Sequence, residues 1–368
     1  MRVQLVKIVA TVASSLLLFV ACDDSPSART DAEPRDGPGT SEATVGDGSG
    51  TDGPVADGPL VGDDGTTGPD GPVVKPDGTV PTSSFRFISW ADTKSATSVL
   101  SSLSNQAVPL KPAFTIFPGD MVNSWSDSLM STWKSAMDGG KSNGMFQATF
   151  TVRGNHDASG SSSGYGTWMA ANHPLATAAA GIGAKNFSNM AGKANLVYSF
   201  DYANAHIVGL DSTGDADSIG SDQISWLDSD LAAAKSRGLT HAFLFFHGPI
   251  YCLAEHCSCT TGICKSGIYN LVTVLNKHPI VSATFHGHEH VYAYTYLDSK
   301  RDAKITHPFH QFVTGDAGAG PDVCDTGRYD YWMNSHGFLV VDVAGKQVTA
   351  SFYKQGSTTP QKTISWTK

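Results

Sequence analysis

The chain has 368 residues, 40% of them hydrophobic and 16% charged, with a formal charge of −9. That length holds one large domain or two ordinary ones with a sizeable core, and so few charges exclude a coiled coil or a charge-rich disordered protein as a description of the whole. A negative balance also disfavours nucleic acid as a partner, provided the charge sits on the folded surface.

The charge sits elsewhere. Residues 23–82 carry thirteen acidic and three basic residues, residues 1–22 add Arg2 and Lys7, and residues 83–368 are left at −1. Arg2 and Lys7 lead into an apolar stretch at 8–21 that falls short of the ~20 residues of a membrane span. The stretch ends Leu18-Phe19-Val20-Ala21-Cys22. A small residue before a cysteine resembles a bacterial lipoprotein signal, in which Cys22 is lipidated and becomes the mature N-terminus. An ordinary secretory signal with an incidental cysteine is the alternative. The expectation is an exported protein, lipid-anchored at the cell envelope on the periplasmic or outer surface.

Residues 23–82 contain no aromatic residue, twelve glycines and nine of the chain's eighteen prolines. Such a segment cannot bury enough apolar surface to offset the entropy of ordering it. It reads as a disordered, extended linker, with calcium binding by its aspartates as the weaker alternative.

Residues 83–368 read as one folded domain. Apolar runs alternate with helical patterns: a strand at 85–90, a helix at 93–106, a strand at 113–117, a helix at 124–138 and a strand at 147–152. That alternation predicts βαβ units and an α/β fold. Strands at 196–200 and 206–210, split by a short polar turn, predict antiparallel pairing. A helix at 222–237, a strand at 242–246 and a helix at 268–277 follow, then strands at 280–285, 338–343 and 348–353.

Ligands of open α/β sheets gather at the carboxyl ends of strands, and five predicted strands end in a metal-type residue. They lead to Asp92, to Gly119-Asp120, to Gly154-Asn155-His156-Asp157, to His247, and to His286-Gly287-His288-Glu289-His290. A lone Asp there is usually a turn former or helix cap, and lone histidines such as His173, His278 and His336 are ordinary decoration. Five such ends in one chain point to a metal site. His288 and His290 would face opposite ways on an extended strand, so the glycine before them predicts a tight turn that lets both converge.

These motifs resemble the calcineurin-like metallophosphoesterases, a family that includes purple acid phosphatases and bacterial phosphodiesterases. The matching residues are Asp92-Thr93-Lys94, Gly119-Asp120-Met121-Val122-Asn123, Gly154–Asp157, His247 and Gly287–His290, within about residues 84–354. The resemblance implies a four-layer α/β/β/α sandwich and two divalent or trivalent metal ions, Fe, Mn or Zn. It assigns Asp92, His290 and a bridging Asp120 to one ion, and Asp120, Asn155, His247 and His288 to the other. Family members complete the first set with a His or a Tyr where this chain has Lys94 and Asn123, so water or Asn123 would fill that place, or the first ion would bind weakly. Lys94 could instead put an ammonium near the phosphate.

Two ions about 3.5–4 Å apart hold a phosphate and lower the pKa of a bound water toward ~7, and the resulting hydroxide attacks phosphorus. His156 would protonate the leaving group, with Asp157 orienting its ring. The expected substrate is a small phosphate mono- or diester. The competing class is a non-catalytic surface binding lipoprotein on a degenerate phosphoesterase fold. With Cys22 lipidated, Cys252, Cys257, Cys259, Cys264 and Cys324 remain, four of them in a loop after His247. In an oxidising compartment these read as local disulfides, or as a zinc knuckle with His256. Tyr165, Trp168 and Tyr251 lie near motif loops, as core packing or as stacking surfaces for a substrate.

Overall fold

The computed structural model describes residues 84–159, 164–213, 216–252, 263, 266–320 and 329–368. The expected signal at 1–22, the linker at 23–82, His256, Cys257, Cys259, Cys264 and Cys324 lie outside these residues.

In chain order the first half contains β1 (Ser84–Ser89), α1 (Thr97–Ala107), β2 (Phe114–Pro118), α2 (Asp127–Met137), β3 (Thr149–Val152), α3 (Gly164–Asn172) and α4 (Leu175–Gly181). Then come β4 (Lys185–Asn189), β5 (Tyr198–Tyr202), β6 (Ala205–Gly209), α5 (Ser221–Ser236), β7 (His241–Phe245), α6 (Ile268–Lys277) and β8 (Val281–His286). The chain ends with β9 (Tyr292–Leu297), β10 (Phe309–Thr314), β11 (Tyr331–Met333), β12 (Gly337–Ala344), β13 (Gln347–Lys354) and β14 (Lys362–Thr367). Among the described residues no helix is long and apolar enough to cross a membrane.

Among the described residues the strands form two sheets. One runs β14-β13-β12-β1-β2-β3 and the other β11-β9-β10-β8-β7-β6-β5-β4. The parallel strands are β1-β2-β3 at one end of the first sheet, continued by antiparallel strands beyond β1, and β6-β7-β8-β10 in the middle of the second, with antiparallel strands on both sides. β5 and β6 pair antiparallel, as their spacing predicts.

Alternation of side chains along each strand decides what lies on each face. Phe87 and Phe114 stack at 5.3 Å, and Phe87 meets Phe243 and Phe285 of the second sheet at 5.4 and 5.5 Å. On the opposite face of β2, Phe117 meets Trp133 of α2 edge-on at 5.1 Å. On the outer face of the second sheet, Leu244 and Val281 join Leu227 and Leu231 of α5 and Leu271 and Leu275 of α6 in a separate buried cluster. The result is the four-layer α/β/β/α arrangement that the motifs imply. Each fully buried aromatic side chain contributes about 1.5–3 kcal/mol, against about 1 kcal/mol for a helix cap such as Ser126 Oγ on the Leu129 amide.

The helix expected from residue 93 begins at Thr97. Asp92 and Lys94 adopt left-handed backbone, φ 58° and 51°, which no α-helix admits, so residues 93–96 form a loop.

Candidate metal centre

Every strand end singled out by the sequence opens on the same spot. Asp92, Asp120 and Asn155 follow β1, β2 and β3 of the first sheet, whereas His247, His288 and His290 follow β7 and β8 of the second. Ligand atoms of Asp92, Asp120 and His247, all buried, lie within 4.8 Å of one another. His247 Nε2 is 3.5 Å from Asp120 Oδ1, 2.9 Å from Asn155 Oδ1 and 3.3 Å from His288 Nδ1. His290 Nε2 lies 3.8 Å from Asp92 Oδ1. The two histidines after Gly287 therefore converge, as the expected tight turn requires.

The backbone is bent to achieve this. Asp92, Asp120 and His288 all have positive φ, at 58°, 55° and 72°, a conformation costing a non-glycine residue of order 1–3 kcal/mol. Main-chain hydrogen bonds hold each one: the Asp92 amide donates to Gly119 O at 3.1 Å, the Asp120 amide to Asp157 Oδ2 at 2.7 Å, and the His288 amide to Asp92 Oδ2 at 2.9 Å. Two glycines are dictated by proximity. A Cβ on Gly154 would run into Asp120 Oδ1, and one on Gly287 into Asp92 Oδ2.

The imidazoles are aimed from behind. His247 Nδ1 donates to Pro118 O at 2.8 Å, and His290 Nδ1 to Gly320 O at 3.1 Å. A carbonyl can only accept, so each ring turns its Nε2 lone pair inward when neutral, the orientation a metal ligand needs. Burial, the largest influence, holds His247 below its usual pKa, in the neutral ligand form. Burial and then the neighbouring Asp120 push the Asp92 carboxyl well above the ordinary carboxylate range, with Lys94 pulling the other way. Asp92 Oδ1 is buried with no hydrogen-bond partner among the described residues. Leaving a buried carboxylate oxygen unmatched is costly, and a cation would match it. Carboxylate, amide and imidazole donors suit Mn, Fe or Zn, so these residues fit a metal centre.

The expected role of Asp157 needs correction. Its carboxylate is fully buried and accepts the amides of Asp120, Met121, Val122 and Gly154 at 2.7–3.3 Å. The His156 ring is instead held by the main-chain carbonyl of Asn123, with Nδ1 donating at 2.7 Å. Asp157 thus shapes the two loops that carry Asp120 and Asn155. A buried acid beside four amides orders backbone, while a half-exposed ring such as His156 takes the nearest surface carbonyl. His156 Nε2 points back to Asp120 Oδ2 at 3.8 Å. The Asn123 side chain is exposed.

Other candidates resolve as packing. Tyr165 is buried against Thr151, Trp168 belongs to the main core, and Tyr251 is buried under the Arg301 guanidinium. His173, His278 and His336 bond to Thr149 O, Asp228 and Asp316 O. His286 is buried between Phe246 O and Thr284 Oγ1, with a pKa lowered by burial to about 3. Cys252 Sγ sits 3.1 Å from Glu289 Oε1, behind the His288–His290 turn. A sixth strand end escaped the motif reading. Asp211 follows β6 and grips Arg153, the residue before Gly154, at 2.7 and 2.9 Å. Its signal was an aspartate directly after the apolar run 206–210.

The calcineurin-like phosphoesterase family model matches residues 89–292, more than half of the chain and every candidate donor residue of this site. The chain belongs to the calcineurin-like phosphoesterase family. That family acts on phosphoric esters and works with a dinuclear metal centre. Among curated proteins none matches the chain in sequence. In fold, this phosphoesterase is similar to a purple acid phosphatase from yellow lupin (Lupinus luteus) seeds, with TM-score 0.57 and 14% identity over 78% of this chain and 54% of that one. It therefore spans about half the length of the lupin enzyme. A dimetal phosphatase from Danio rerio aligns with TM-score 0.54 and 14% identity over 78% of this chain and 99% of that one. GAP50, the anchor in the inner membrane complex of Plasmodium, aligns with TM-score 0.51 and 15% identity over 77% and 89%. At these identities the likeness is one of fold.

Proposed function

We propose that this phosphoesterase hydrolyses phosphate mono- or diesters at a two-ion centre, exported and held at the membrane by a lipid on Cys22. The observation that carries the catalytic part is the convergence of six donor residues from five strand ends around a buried Asp92–Asp120–His247 group. Asp92, His290 and Asp120 Oδ2 would hold one ion. Asp120 Oδ1, Asn155, His247 and His288 would hold the other. Bound there, such ions supply Lewis acidity toward the phosphoryl oxygens and a nucleophile available at neutral pH.

The remaining work falls to the chain. The Asn123 carbonyl fixes His156 Nδ1 as a donor, so a protonated ring presents its Nε2–H to the site. As the new O–P bond forms and the ester O–P bond breaks, that proton passes to the departing oxygen. Asn155 is exposed and His156 half-buried, which leaves the ester a path from solvent. The near-neutral folded surface presents no charge barrier to an anion.

The full chain, purified with Mn, Fe or Zn, should turn over para-nitrophenyl phosphate or its bis-ester. No turnover with any metal, alongside a single ion per chain, would instead support a binding role. Cys22→Ser should move the protein from the membrane fraction to the soluble one. Unchanged membrane partition would sink the anchor.

A further inference from the structure

Lys94 stands beside Asp120 at the floor of the centre. Its amide donates to the Asp120 carbonyl at 3.2 Å, and its Nζ stands 3.9 Å from Asp120 Oδ2 with the side chain only 16% exposed. The left-handed φ of Asp92 and Lys94 folds the intervening backbone over the site floor and turns this side chain inward. Ordering a lysine stem costs rotamer entropy, which the buried Asp120 carboxylate beside its ammonium offsets.

The ammonium divides the centre unevenly. Asp120 Oδ1 faces His247 Nε2 at 3.5 Å and accepts the His156 amide at 3.0 Å, both within the second pole. Asp120 Oδ2, which the first pole needs, already faces Lys94 Nζ at 3.9 Å and His156 Nε2 at 3.8 Å. A cation arriving at Oδ2 meets a like charge in a buried setting, where screening is weak. A cation at Oδ1 meets imidazole and amide donors.

We infer that Lys94 makes the two poles unequal: its ammonium competes for Asp120 Oδ2, so the Asp92–His290 pole holds its ion more weakly, and once displaced by that ion it binds an oxygen of the phosphate ester. This rests on the two-pole reading of the centre. As a compact point charge with three donors, an ammonium can turn from one oxygen to another without the fixed geometry of a guanidinium.

The test uses the full chain stripped with a chelator and titrated with Mn2+, read by equilibrium dialysis and electron paramagnetic resonance. The wild-type protein should bind its second Mn2+ at least about tenfold more weakly than its first, a gap set by one nearby unit charge. Lys94→Met should close most of that gap, and Lys94→Arg, which keeps the charge, should preserve it. Equal affinities in the wild type, or a gap unchanged in Lys94→Met, would overturn the inference. With both poles saturated by Mn2+, inorganic phosphate should bind Lys94→Met at least about tenfold more weakly than wild type. Equal phosphate affinity would overturn the second half. Lys94→Gln repeats both measurements if the methionine variant misfolds by circular dichroism. Absence of ester turnover in the wild type would sink the hydrolase reading while leaving the Mn2+ gap and its closure intact, so the two failures are distinguishable.

Discussion

His156 Nδ1 donates to the main-chain carbonyl of Asn123 across 2.7 Å. A peptide carbonyl does not titrate, so the ring keeps one orientation over the whole working pH range and presents Nε2 to the site. His156→Ala should lose about 10²–10⁴-fold in turnover while metal analysis finds wild-type ion content. Asn123→Ala should keep near-normal turnover, because the carbonyl survives the substitution. Metal loss in that variant would make the Asn123 side chain a ligand after all.

Asp157→Ala is expected to act on stability. It strips the acceptor from four buried amides, those of Asp120, Met121, Val122 and Gly154. Each buried donor left unmatched costs about 1–3 kcal/mol, so urea unfolding should show a loss of at least about 3 kcal/mol. A midpoint within error of wild type would contradict the loop-ordering role.

On the proposed two-ion reading Asp120 would serve both ions, so Asp120→Ala should lose both together. Chelation of the wild-type protein should lower its melting temperature, since a ligand at a hundredfold excess over its dissociation constant stabilises by about 2.7 kcal/mol. The Asp120→Ala protein should melt at the same temperature with and without chelator. A chelator-induced shift in that variant would place the metals elsewhere.

Far from the centre, His206 is buried between Asp201 and Asp230, 2.7 Å from an oxygen of each, and Arg237 grips Asp201 at 2.6 and 2.9 Å. Burial pushes the imidazole pKa down, but the hydrogen bonds to Asp201 and Asp230 outweigh it and the net direction is upward from 6.5. The folded state therefore holds this proton more tightly than the unfolded chain. The stabilisation is full below about pH 6.5 and fades as pH rises through the raised value. His206→Asn should cost about 2 kcal/mol or more near pH 6, and the difference from wild type should narrow toward pH 9. A difference that widened with pH would reverse the assignment.

The site was legible because its chemistry stands at strand ends, where short polar motifs interrupt apolar runs. Asp92, Asp120, Asn155, His247, His288 and His290 could all be named that way. The role of Asp157 was not, because a motif gives order along the chain and says nothing of which amides surround a carboxylate. The helix at 93–106 was overextended because propensity carries no trace of the left-handed turns at Asp92 and Lys94. β4 (Lys185–Asn189) is polar and mostly exposed, a strand only through its pairing with β5. β9 and β14 left signals that went unread: the aromatic run Tyr292-Ala293-Tyr294-Thr295-Tyr296 favours strand, and Ile364 and Trp366 alternate with outward residues. α3 opens with two glycines in three residues, Gly164 and Gly166, which hide a helix from propensity.

The candidate donor set is split evenly, three residues on each side, between two sheets that among the described residues share no strand ladder. A cation bound among them is a rivet through the open lip of the sandwich, whereas the Phe87–Phe243–Phe285 layer glues its interior. Any substitution that slides one sheet past the other should therefore register at the rivet before it registers in the glue. Metal affinity would then double as a gauge of how the two halves are aligned.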